Sequence, residues 1–199
     1  MHMKAFKKVI SQETAPFAIR AERASDVAAR EALLDASFGA NRHARTCQRL
    51  RDGRAPAEGL AFSAFHQGRL VGTVRLWHVN AGGVPALVLG PLAVNSSCRK
   101  LGVGAALMNH ALGAAKARGH GAVILLGDAP YYARFGFSAV STSELSLPGP
   151  FERDRLLGLE LREDALDGAW GMIVPTGMTA KRSRARAAAK AKLAAVSVA

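Results

Sequence analysis

The chain has 199 residues, 49% apolar and 6% aromatic, which suits one sizeable core plus a tail better than two full domains. Its formal net charge is +12, but Lys181, Arg182, Arg184, Arg186, Lys190 and Lys192 all follow the last acidic residue, Asp167, so the body keeps only +6; that favours polyanionic ligands and equally fits a solvated, charged surface. Two cysteines, Cys47 and Cys98, show no metal-like spacing, no apolar run nears the roughly 18 residues of a membrane span, and Met1 to Ala15 has no apolar h-region, so neither a disulfide scaffold, nor a membrane partner, nor a signal peptide is expected, and the expected location is cytoplasmic.

In chain order, Phe17 to Ala21 reads as a first strand. Ser25 and Asp26 cap an Ala/Leu-rich helix that runs to about Phe38 and stops at Gly39. A second helical piece covers His43 to Arg51, and Asp52 to Gly59 is a loop. Leu60 to His66 and Leu70 to Val79 form a hairpin about the Gln67-Gly68 turn. Asn80 to Gly83 turns again into a third, mostly apolar strand, Ala86 to Val94. Gly90-Pro91 inside that strand predicts a local distortion after Leu89, because proline cannot donate to a ladder and glycine marks bulges.

The clearest helix runs from Gly102 to Arg118, with Val103, Leu107, Met108, Ala111, Leu112 and Ala115 on one face at helical spacing. A short apolar strand follows, Ala122 to Leu126. The strand–helix–strand order predicts a parallel, right-handed crossover. Tyr131 to Phe135 reads as a short helix, Phe137 to Val140 as a strand, and Ser141 to Arg153 as a loop. Leu156 to Leu161 and Gly171 to Val174 are the last strands, with a short helix near Asp164 to Leu166. Residues 179–199 form a basic Ala/Lys/Arg tail expected to be disordered.

Chemistry concentrates at Arg99-Lys100-Leu101-Gly102-Val103-Gly104, where the chain enters its best helix. Glycines at a helix start expose outward-pointing N–H groups that, with the helix dipole, make an anion site. Arg99 and Lys100 add charge at the same mouth. The dinucleotide fingerprint is absent, as is a Walker loop, since no Gly-Lys-Ser/Thr follows.

An Arg-x-x-Gly-x-Gly run after a strand ending Leu92-Ala93-Val94 resembles the GNAT superfamily of N-acetyltransferases. So does Tyr131-Tyr132-Ala133-Arg134-Phe135-Gly136-Phe137, with a tyrosine four residues before a Gly-Phe pair. Leu87 to Val140 looks like a bacterial subgroup of these enzymes, with Ser96, Cys98 and Lys100 departing from the family's usual residues. The resemblance implies an α/β fold (α+β mixed sheet) in which an antiparallel meander leads into the βαβ crossover, filling residues 1–178.

It also implies acetyl-CoA as co-substrate, no metal, and direct transfer of the acetyl group to a primary amine of a small molecule or of a protein N-terminus or lysine. Cofactor contacts fall on Leu92, Ala93, Val94, Arg99, Lys100, Leu101, Gly102, Val103, Gly104 and Tyr132. The Leu92 N–H becomes the oxyanion donor and Tyr132 the general acid for the leaving thiolate, a phenol of pKa about 10 against a thiol of about 8.5. Asp128 and His78 are the candidate bases, although Asp128 has a competing role as a helix cap. Arg45, Arg49 and Arg51 read either as a solvated face or as a preference for acidic amines. Homodimers are common in such a family. Two other functions remain open: a CoA-binding module without catalysis, and non-specific nucleic-acid contact through the tail.

Overall fold

Alternating apolar residues and tight turns build a mixed sheet whose central strand is long enough to serve two partners on one side. The computed structural model describes residues 16–196. The stretch expected to carry no leader, 1–15, lies outside the described residues, as do 197–199. The strands are β1 (Ala18–Ala21), β2 (Ala61–His66), β3 (Arg69–Ala81), β4 (Val84–Leu89), β5 (Ala93–Val94), β6 (Ala122–Leu126), β7 (Leu145–Ser146), β8 (Leu156–Glu160) and β9 (Gly171–Pro175). The main path is β1-β2-β3-β4-β6-β8, with β5 and β9 also on β3 and β7 on β9. β4 and β6 run parallel, as the crossover requires, and β7 and β9 form a second parallel pair. The expected mixed α/β architecture is therefore present.

Helices α1 (Val27–Phe38), α2 (Val103–Ala117), α3 (Ala129–Ala133) and α4 (Ala180–Val196) complete the fold. Helix α2 buries Val103, Leu107, Met108, Ala111, Leu112 and Ala115, the face read from the sequence. They join Leu60, Val74, Leu87, Leu125 and Phe137 in the larger core on one side of the sheet. Each wholly buried Leu or Met contributes about 1.5–3 kcal/mol, so the start of α2 is firmly placed. The opposite face carries a second core around Trp77, Val79, Ile124, Leu145, Leu156 and Ile173.

Several expectations need correction. His43 to Arg51 is not a helix but two 3-10 turns, Ala40–Ala44 and Thr46–Leu50, separated by an extended Arg45. Tertiary anchors override the local preference: the Thr46 hydroxyl donates to the Pro150 carbonyl at 2.5 Å, and Arg49 donates to that of Pro148 at 2.5 Å. In place of a strand at Phe137 to Val140, Ser138 alone bridges to Gly158, and a 3-10 turn covers Val140–Thr142. Helix α3 begins two residues before Tyr131, with Pro130 in its first turn. Asp164 to Leu166 is turn only, and the loop 141–153 contains β7. From Ala180 the basic segment is helical where an unstructured tail was expected. Alanine is the best helix former, and the entry is pinned by Ala180 N–H on the Gly53 carbonyl at 2.9 Å.

Candidate active site

The site begins with a strand that breaks. β4 pairs with β3 as far as Leu76↔Leu89, and β5 resumes at Thr73↔Ala93. Four steps on one strand face three on the other, so one extra residue is inserted, as Gly90-Pro91 predicts. The bulge is held from both sides. The Gly90 N–H donates to the Arg75 carbonyl at 2.8 Å, and the Gly90 carbonyl accepts from Trp77 Nε1 at 2.6 Å. Pro91 has no donor, and the Leu92 N–H donates to no backbone carbonyl among the described residues.

The same break splays the parallel pair. β6 meets β4 only at Leu87↔Val123 and Val88↔Ile124, while β5 pairs only with β3 among the described residues. Beyond that point Leu89, Leu92, Leu125 and Leu126 line one cavity, and Leu92 also lines another beside β5. One edge of β5 keeps its backbone groups free for an extended ligand.

The first cavity, about 440 Å³, is lined by Leu92, Ala93, Val94, Arg99, Gly102 and Gly104, among others. Gly102 sits at the N-cap of α2 with φ +75°, a left-handed conformation that favours glycine. The first-turn N–H groups behind it lack intrahelical partners, and Gly104 and Ala105 of that turn line the cavity. A Cβ on Gly102 would project into open space, so the region above it is free for an anion. On the far wall Arg134 lies over the Tyr131 ring, 4.0 Å from its centroid.

Tyr132 stands where this cavity meets the second and lines both. Its ring packs edge-on against Tyr131 and Phe137, at 4.9 and 5.9 Å between centroids. It lies so close to Gly127 that a Cβ there would come within 2.2 Å of Tyr132 Cε2. The hydroxyl makes no hydrogen bond within the protein among the described residues. Burial, helped by the neighbouring Tyr131 and Asp128, pushes its pKa up to about 12.

The second cavity, about 600 Å³, lies beyond the bulge. Leu34 and Phe38 of α1, the turn around Cys47, Arg51, and Arg155 from the 3-10 turn just before β8 wall it. Burial raises the Cys47 thiol pKa and lowers that of the Arg51 guanidinium.

The sequence-predicted residues fall into four groups. Leu92, Ala93, Val94, Arg99, Gly102, Gly104 and Tyr132 gather at the first cavity. Val103 is wholly buried, so it can offer only its N–H. Lys100 and Leu101 are exposed, outside the lining. Neither candidate base reaches the second cavity: Asp128 is exposed, and its carbonyl, not its side chain, caps α3 through the Tyr131 and Tyr132 N–H groups. His78 of β3 lies against His120, with the rings tilted and 5.3 Å between centroids. Trp77, Phe38, Gly127 and Arg134 were missed. Gly127 sat in plain view before Asp128, but only the ring folded onto it reveals its role.

Similarity to known proteins agrees with this geometry. A model of the acetyltransferase (GNAT) family matches residues 27–137. Over 157 residues the chain is 30% identical to the Escherichia coli K12 protein named uncharacterized N-acetyltransferase YhbS, covering 78% of this chain and 93% of that one. The crystal structure of Escherichia coli YhbS in complex with CoA superposes with a TM-score of 0.70 at 27% identity, over 88% of this chain and 93% of that one. A GNAT family acetyltransferase from Brucella melitensis in complex with acetyl-CoA shares the fold, with a TM-score of 0.54 at 24% identity over 73% and 96% of the two chains. Among the described residues no group of three His, Cys, Asp or Glu could hold a metal ion, and no helix is long and apolar enough to cross a membrane.

Proposed function

The chain belongs to the acetyltransferase (GNAT) family, and from that premise we propose that it moves the acetyl group of acetyl-CoA directly onto a primary amine in a ternary complex. The observation that carries this reading is the pair of cavities joined at Leu92 and Tyr132. One suits a long anionic cofactor and the other an acceptor, and the thioester sits between them.

The cofactor's pyrophosphate would rest on the N–H groups of Gly102, Val103 and Gly104 with Arg99 beside it, where a helix start favours negative charge. The pantetheine arm would pair with the free edge of β5 through Val94. This leaves the thioester beside the bulge.

The amine nitrogen attacks the carbonyl carbon, and the oxyanion that forms takes the Leu92 N–H. The C–S bond then breaks, the sulfur gains a proton, and the nitrogen loses one. Tyr132 mediates that exchange. With a pKa near 12 it is fully protonated at neutral pH and serves as a donor to sulfur. Surrendering the proton outright to a thiolate of pKa about 8.5 is uphill, so the phenol is refilled in the same step by the ammonium of the tetrahedral intermediate. No carboxylate or imidazole lines the acceptor cavity among the described residues, so the amine sheds its first proton to water before attack.

Tyr132→Phe tests the assignment. Release of CoA from acetyl-CoA across a panel of amines is compared with CoA affinity by calorimetry. The expected result is a kcat lower by about 10²–10⁴ with CoA affinity held. A variant as fast as the wild type removes Tyr132 from the mechanism. A wild-type protein that binds CoA yet releases none with any amine supports a non-catalytic module instead.

A further inference from the structure

The acceptor cavity has a strongly one-sided charge. Arg42, Arg45, Arg51 and Arg155 line it, and no Asp or Glu does among the described residues. Two of the four are already engaged: Arg42 with Glu31 and Asp35, and Arg155 with Glu152 and the Gly127 carbonyl. Arg45 lies over the Phe38 ring, 5.0 Å from its centroid. Arg51 is the more telling, because its Nε is buried without a hydrogen-bond partner among the described residues. A charged donor withdrawn from water and left unpaired is costly, and with Arg45 beside it the cavity keeps a positive bias that disfavours a polycation.

Position narrows the ligand. Arg51 Nη1 lies 3.6 Å from where a Cβ on Gly90 would be. Leu92, which would hold the oxyanion, is two residues further on, a reach of at most about 7 Å. A group bound by Arg51 and a nitrogen attacking at Leu92 can therefore belong to one small molecule held in this cavity.

We propose that the acceptor is a small primary amine bearing an anionic group, carboxylate or phosphate, a few bonds from its nitrogen, with Arg51 and Arg45 gripping the anion. This rests on the acetyltransferase reading above. A guanidinium fork matches either anion in a two-pronged hydrogen bond. The pair would also favour the neutral, attacking form of a nearby amine, since a second cation is repelled. Polyamines, aminoglycosides and protein side chains lack the required anion.

The test measures CoA release with acetyl-CoA and matched acceptors. Protein amino acids are set against their amides, and O-phosphoethanolamine against ethanolamine. Spermidine, kanamycin and a peptide with a free N-terminus serve as controls. The anionic member of a pair should exceed its neutral partner in kcat/KM by about tenfold to a hundredfold, and the pair with the larger gap tells carboxylate from phosphate. Arg51→Gln should erase the gap through the acceptor KM, leaving CoA affinity in place. Arg45→Gln, on an exposed position, should narrow it even where Arg51→Gln fails to fold.

Equal use of charged and neutral members, an unchanged gap in both variants, or turnover confined to the cationic controls or the peptide each overturns the proposal while leaving the acetyltransferase reading intact. CoA binding without turnover of any acceptor undoes that reading instead. In that case calorimetry of the anionic amines on the CoA complex decides the present proposal, and no binding at millimolar concentration overturns it.

Discussion

The two cavities that meet at Tyr132 are built by different means. On the cofactor side, the groups positioned for a ligand are mainly backbone: the free edge of β5 and the first turn of α2, fixed by the bulge at Gly90 and the left-handed Gly102. On the acceptor side they are side chains, gathered from α1, the 3-10 turns after it, and the turn just before β8. Backbone positioning tolerates a change of side chain wherever secondary structure survives. Side-chain positioning depends on what holds each long, charged group in place, so the acceptor side should be the more fragile.

The largest effect is expected at Glu22, which pairs with Arg30 of α1, the helix that supplies Leu34 and Phe38 to the second cavity. Its carboxylate receives Arg30 of α1 at 2.5 Å and also Arg75 of β3, and Glu22 and Arg30 are only 8% and 7% exposed. Removing one member of a buried ion pair typically costs about 3–5 kcal/mol. Glu22→Gln should lower unfolding free energy in urea by that order. At a temperature where the variant is still folded, the acceptor KM should rise while CoA affinity holds. An equal loss in both would show that the two halves are not separable.

The contrast also decides what could be read in advance. The proposed cofactor side rests on contiguous residues: Gly90-Pro91 for the bulge, Arg99 to Gly104 for the entry into α2, and Tyr132 ahead of Gly136-Phe137. Local spacing fixes backbone geometry, so these were legible. The acceptor side draws on residues from Leu34 to Arg155, and no local pattern tells which face of a turn will look inward. Arg45, Arg49 and Arg51 illustrate the limit. They look alike in the sequence, yet Arg45 and Arg51 face the cavity while Arg49 ties down Pro148. The candidate bases show the same limit: Asp128 and His78 are the right residue types, and neither is among the residues that line the second cavity.

The second effect lies at the junction. Gly127→Ala would drive a methyl group into the Tyr132 ring, 2.2 Å from Cε2. Displacing a reacting group by about an ångström can cost up to about a hundredfold in rate. The expected loss is therefore in kcat, with the KM for acetyl-CoA little changed. Because Gly127 acts through Tyr132, adding Gly127→Ala to Tyr132→Phe should cost nothing more. A further drop in the double variant would give Gly127 a separate role, in the strand end rather than the ring.

The smallest effect concerns the start of α1, far from its cavity-lining end. Arg20 donates to both carboxylate oxygens of Asp26 at 2.7 and 2.8 Å, and the Arg23 N–H adds a third bond at 2.8 Å. The Arg20 bonds hold the Asp26 pKa at about 2, against about 3.9 when unfolded. A depressed folded-state pKa means that the ionised form stabilises the fold. Its contribution is complete above the unfolded value and disappears as pH falls from about 4 towards 2. Asp26→Asn should therefore melt a few degrees below the wild type at pH 7, and the difference should close across that acid window. A constant difference down to pH 2 would mean that Asp26 acts by shape and hydrogen bonding alone. Activity at neutral pH should barely change, because the helix is held again at Arg30 and by the burial of Leu33 and Leu34.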